Sequence, residues 1–119
     1  MLKWLIGAAA FAAACAPAAA QVEQEVPIVN NTGMTIAEVY ISPASVNDWG
    51  EDLLGESTFP DTANATITFK REEDACLWDV KAMFDTGEGV VWQQLNVCGL
   101  NSVTLLYDAD TGETTAVVD

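Results

Sequence analysis

Carboxylates dominate the residues of this chain that could do chemistry, and they gather in two places. Asp48, Glu51 and Asp52 flank Trp49 in the stretch between Pro43 and Gly55. Closely spaced oxygens on a loop suit calcium, which takes about six to eight of them. An aromatic ring beside them also suits the apolar face of a sugar. The simpler alternative is that Trp49, Leu53 and Leu54 fold inward and close one end of the domain, leaving the acids in water. The second place, Asp108-Ala109-Asp110-Thr111-Gly112-Glu113, has Asp-x-Asp-x-Gly spacing but lacks the length and terminal bidentate Glu of an EF-hand. Asp-Thr-Gly is also ordinary hairpin chemistry, so Asp108 and Asp110 serve either a metal or a turn.

The missing groups narrow the reaction classes. The chain has no histidine, which removes Ser-His-Asp and Cys-His nucleophile pairs and the commonest general base near neutral pH. A Ser-Lys dyad would have to use Lys70 or Lys81, both placed in or at the end of a strand. No phosphate-cradling loop or dinucleotide fingerprint is present. Paired carboxylates could cleave a glycosidic bond, yet a domain this small leaves little room for the cleft. The chain is therefore read as non-enzymatic, with no cofactor other than a possible calcium ion.

Charge narrows the partners. Eighteen acidic residues face four basic ones, a formal net charge of −14. Nucleic acid and anionic lipid need a cationic stripe, so nucleic acid is excluded as a partner. A protein, glycan or cation ligand remains open, as does simple solubility.

The N-terminus indicates compartment. Lys3 precedes an apolar run from Trp4 to Ala14, Pro17 breaks it, and Ala18-Ala19-Ala20 offers a cleavage site ahead of Gln21. That pattern reads as a signal peptide over 1–20 and export to a periplasmic or extracellular space. The run is too short for a ~30 Å hydrocarbon core, which needs about 20 residues, so no transmembrane span is expected in the mature chain. Lipidation of Cys15 is the alternative fate of the leader. Cleavage discards Cys15 and leaves Cys76 and Cys98, which can pair. It also removes Lys3, which takes the net charge from −14 to −15.

Residues 21–119 then form one domain. Runs rich in Val, Ile, Thr, Tyr and Phe alternate with Gly, Asn, Asp and Pro clusters about every ten residues, the signature of an all-β sandwich or barrel. Seven strands are expected, at 26–29, 35–42, 65–70, 76–84, 90–98, 102–107 and 114–118. Ala65, Ile67 and Phe69 share a face, and only 46–54 has helical flavour. The expected fold is a single antiparallel β-sandwich, immunoglobulin-like in style, with an open barrel as the alternative.

A turn symmetric about Gly87 predicts the central hairpin's register. It pairs Cys76 with Cys98, Trp78 with Asn96, Val80 with Gln94, Ala82 with Trp92 and Phe84 with Val90, all on one face. Directly opposed residues lie within disulfide range, and such a bridge stabilises by about 3 kcal/mol. Two free thiols, a register-breaking bulge, or diagonal or inter-sheet pairing are the alternatives.

Asn31-Thr32-Gly33, Val39-Tyr40-Ile41-Ser42-Pro43, Trp49-Gly50-Glu51-Asp52-Leu53-Leu54-Gly55 and Cys76-Leu77-Trp78-Asp79-Val80 occur in that order. The chain resembles a family of small exported bacterial proteins sharing Asn-x-Thr-Gly, Tyr-x-Ser-Pro, Trp-Gly-x-Asp-Leu-Leu-Gly and Cys-x-Trp/Tyr-Asp patterns. The likeness runs from about Val29 to Cys98. It implies the fold and the compartment; the family has no established activity. Pro43, Gly50 and Gly55 bracket a loop with particular backbone angles.

These readings converge on an exported acidic binding or interaction module whose working surface is the 43–55 loop, through Asp48, Trp49, Glu51 and Asp52. A calcium-dependent module and a purely structural envelope-associated protein are the alternatives.

Overall fold

Apolar side chains recur at every second position of the extended segments, so each strand has one face to bury. The computed structural model, which describes residues 21–44 and 46–119, buries those faces between two sheets. The expected leader, its cleavage after Ala20 and the alternative lipidation of Cys15 lie outside the described residues. The strands are β1 (Gln21–Asn31), β2 (Ile36–Pro43), β3 (Asn64–Glu72), β4 (Leu77–Phe84), β5 (Gly89–Asn96), β6 (Val103–Asp108) and β7 (Glu113–Val118). One sheet has the order β3-β1-β6-β7 and the other β2-β4-β5. The all-β sandwich expected from the sequence is the fold observed.

Two details differ from expectation. β1 is longer than 26–29, because it pairs antiparallel with β3 from Gln21↔Glu72 to Val29↔Asn64. Its end runs parallel to β6, from Ile28↔Val103 to Asn31↔Leu106. A parallel pair needs a long connection between its members, and the chain supplies one by building the whole second sheet in between. The 46–54 segment forms turns rather than a helix. Asn47 and Gly50 hold positive φ of 59° and 64°, which a right-handed helix does not accept.

The core is built from both sheets: Val26, Ile28, Ile67, Phe69, Val103 and Leu105 from one, and Ile36, Val39, Trp78, Val80, Ala82, Phe84, Trp92 and Leu95 from the other. Phe69 meets Trp78 edge-on across the gap at 5.5 Å between ring centroids. The Trp92 indole N–H is shared between the carbonyls of Leu106 and Thr115, each at 3.1 Å. Thr114 donates to the Val91 carbonyl at 2.9 Å, so β5 and β7 close one side of the sandwich.

The central hairpin corrects the predicted register. Phe84 N–H donates to Glu88 O at 2.8 Å and Gly87 N–H to Phe84 O at 2.9 Å, with φ of 93° at Gly87. The turn is thus three residues, Asp85–Gly87, centred on Thr86. A short turn ending on a left-handed glycine matches the strand twist better than a symmetric five-residue loop does. Ala82 faces Val90 and Val80 faces Trp92, whereas Trp78 faces Leu95. Between these pairs Asp79 opposes both Gln93 and Gln94, a β-bulge. The bulge reverses the phase of β5: Leu95 and Val97 are buried, and Gln94 and Asn96, expected on the cysteine face, are exposed. Cys76 and Cys98 do form the disulfide, 5.3 Å apart at Cα, just beyond the strand ends.

Candidate functional site

The 43–55 loop is held by short hydrogen bonds to its own sheet. Val46 N–H reaches Pro43 O at 3.1 Å, and Asp48 N–H reaches the Oγ of fully buried Ser42 at 2.9 Å. The Asp52 carboxylate accepts Val39 N–H at 2.9 Å and Leu54 N–H at 3.0 Å, and Leu53 N–H returns to Val39 O at 2.8 Å. β2 is an edge strand, and a bare edge is a template for unwanted pairing. Asp52 and Leu53 cap that edge at Val39. Phe59 caps it at Ile36 through two hydrogen bonds of 2.9 Å. Phe59 is itself fixed by buried Asn30, whose amide donates to Phe59 O and Met34 O and whose oxygen accepts Thr32 N–H and hydroxyl. The Asn-x-Thr-Gly and Asp-Leu-Leu-Gly patterns are therefore loop anchors.

Two depressions are lined jointly by this loop and by residues of the three-stranded sheet. The first, about 280 Å³, is lined by Glu38, Tyr40, Trp49, Lys81 and Met83. Tyr40 and Lys81 are cross-strand partners. The Lys81 ammonium lies 5.9 Å from the Trp49 ring centroid and 6.0 Å from that of Tyr40, within range of a cation–π attraction. The Tyr40 hydroxyl donates to Glu38. That hydrogen bond, with burial and the charges of Glu38 and Asp52, raises the Tyr40 pKa above the usual phenol value.

The second depression, about 310 Å³, is lined by Asn47, Asp79, Gln93 and Gln94. Asp79 is only 4% exposed, and its Oδ1 accepts Gln94 N–H at 2.8 Å. Asn47 and Gln94 hold φ of 59° and 57°, angles that side chains other than glycine adopt at a cost. Asp48 sits between the depressions, pinned by its backbone to Ser42.

The sequence-derived candidates separate on this face. Trp49 lines the first depression, half-buried. The Asp52 carboxylate is taken up by two backbone N–H groups. The side chains of Asp48 and Glu51 are exposed and line neither depression. Leu54 packs on the core while Leu53 is 41% exposed, so the loop closes the core with one leucine of the pair. Asp108 uses Oδ1 to accept Asp110 N–H at 2.9 Å, and its carbonyl accepts Gly112 N–H at 2.7 Å, within the β6–β7 turn. Among the described residues, no three Asp, Glu, Cys or His side chains come together as a metal-holding group.

Sequence reasoning missed Tyr40, Lys81, Asp79, Gln93 and Gln94 as neighbours. Period-two alternation could have placed Asp79, Lys81 and Met83 opposite the Trp78 face. Only the sheet order brings Tyr40 beside Lys81.

No family model and no curated protein matches the chain. A solved structure, the NMR structure of a protein from Eubacterium rectale, is similar at a TM-score of 0.57 and 11% identity, covering 81% of this chain and 87% of that one.

Proposed function

We propose that the chain is an exported, acidic, non-catalytic binding module whose contact surface is the outer face of the three-stranded sheet under the 43–55 loop. The seat of Trp49 carries this reading. Trp78 and Trp92 are buried in the core, whereas Trp49 is held half in water at the rim of a concave surface. Leaving indole area exposed costs hydrophobic stabilisation. Aromatic rings on concave surfaces are the usual walls of ligand sites.

Export is supported by the leader pattern and by the Cys76–Cys98 disulfide, a bond that persists in oxidising compartments. No helix among the described residues is long and apolar enough to cross a membrane. The family resemblance belongs to the same reading, because Tyr40, Ser42, Trp49, Asp52 and Asp79 within its motifs build this face.

A thermal-shift screen of wild type and Trp49→Ala tests the reading, with calcium chloride, neutral oligosaccharides and basic peptides as probes. A probe that raises the melting temperature of wild type and not of the variant supports it. A screen in which no probe shifts wild type, or in which every shift survives in the variant, overturns it.

A further inference from the structure

We propose that the ligand of this face is a neutral oligosaccharide, held by an aromatic subsite at Trp49 and Tyr40 and a polar subsite at Asp79, Asn47, Gln93 and Gln94. The inference rests on the binding-module reading and adds the class of ligand. The two depressions lie side by side along β4, because Lys81 and Asp79 are two residues apart on its outward face. That spacing is about 7 Å, short enough for one oligosaccharide to reach both depressions. One subsite offers ring faces for the apolar side of a pyranose. The other offers the mixed donors and acceptors that vicinal hydroxyls need.

The polar subsite is built for a ligand. Asp79 is more than nine-tenths buried, yet among the described residues only its Oδ1 has a hydrogen-bond partner. Its other carboxylate oxygen can accept from a hydroxyl donor. Asn47 and Gln94, two of the three non-glycine residues with positive φ among those described, line this same depression. Strained backbone of that kind gathers at ligand clamps.

Other ligand classes fit less well. A polyanion meets a domain carrying eighteen acids. A cation is repelled by the Lys81 ammonium, which lies 5.9 Å from the Trp49 ring centroid and 6.0 Å from that of Tyr40. A peptide strand added to β2 finds that edge closed at Val39 and Ile36. A neutral polyhydroxylated chain meets none of these obstacles.

The test is a titration of the ¹⁵N-labelled protein with neutral cello-, chito-, malto- and laminari-oligosaccharides, followed by amide shifts. One of these series should move Asn47, Asp48, Trp49, Gln93 and Gln94 together. Trp49→Ala and Asp79→Asn should each weaken that binding by about tenfold or more, and Gln93→Ala, a substitution at an exposed site, by several-fold. Sugar-induced shifts confined to another face, or unchanged affinity in all three variants, overturn the inference. If calcium chloride or a basic peptide moves these amides and every sugar fails, the sugar assignment falls and the binding face stands. If no probe moves them, both fall.

Discussion

The carboxylate of Asp79 receives the backbone N–H of Gln94 at 2.8 Å, across the bulge that separates the pair Val80↔Trp92 from the pair Trp78↔Leu95. This contact satisfies the Gln94 N–H at the bulge. It thereby fixes the phase of β5 beyond Trp92. Without the bulge, Leu95 and Val97 would turn to water and Gln94 and Asn96 to the core. The same carboxylate forms the floor of the polar depression, so the fold's irregularity and its candidate site share a residue.

Replacing Asp79 by Ala should destabilise the domain by about 1–3 kcal/mol, the cost of an unpaired buried N–H. The melting temperature should fall by on the order of 5–15 °C, while Asp79→Asn, which keeps an acceptor oxygen, falls less. Gln94→Gly should be neutral or stabilising, because glycine adopts the left-handed angle without the cost of about 1–2 kcal/mol borne by a side chain. Thermal melts of the three variants check this. An Asp79→Ala melt that matches wild type contradicts it.

Reduction of Cys76–Cys98, whose sequence separation is 22, should lower stability by about 3 kcal/mol. Urea titrations with and without reductant measure the loss. Cys76→Ala with Cys98→Ala should reproduce it without reductant. Equal midpoints in both conditions would mean the bridge contributes nothing.

Tyr40 and Tyr107 should both titrate above the ordinary phenol value in the folded protein. The main cause is a hydrogen bond from each hydroxyl, to Glu38 and Glu88 respectively, reinforced by burial and nearby carboxylates. A raised folded pKa means the neutral phenol contributes stability below the unfolded value. That contribution is lost as pH rises through the folded value. These are the chain's two tyrosines, so the tyrosinate absorbance of the native protein should lie alkaline of that of the unfolded chain. Glu38→Gln should move one of the two back. Superimposable native and unfolded titrations would contradict the two contacts.

Much of the architecture was legible because a sheet face has a period of two. The seven strands, the shared face of Ile67 and Phe69, and the inward run of Trp78, Val80, Ala82 and Phe84 all follow from alternation. The hairpin register did not follow, since it depends on where Gly87 falls in the turn and on a bulge at Gln94. A glutamine in the left-handed region carries no sequence signal. The disulfide was anticipated from cysteine counting, although the register used to place it was displaced. At the candidate site, Trp49 was legible as an aromatic among acids. Among the acids, Asp52 accepts two backbone N–H groups, while Asp79, in a mostly apolar strand, supplies the buried carboxylate. The parallel pairing of β1 with β6 and the antiparallel pairing that sets Tyr40 beside Lys81 are long-range facts that local pattern does not encode.

Whether Trp49 stands open as a platform is measured most directly by acrylamide quenching of tryptophan fluorescence in the 21–119 chain, which lacks Trp4, as wild type and as Trp49→Phe. Trp78 and Trp92 are 6% and 2% exposed and should be shielded from the quencher. Wild type should therefore show a quenchable component that disappears in Trp49→Phe. Quenching that is absent from wild type, or that persists undiminished in the variant, would show the ring closed off and remove the surface on which the proposed binding role depends.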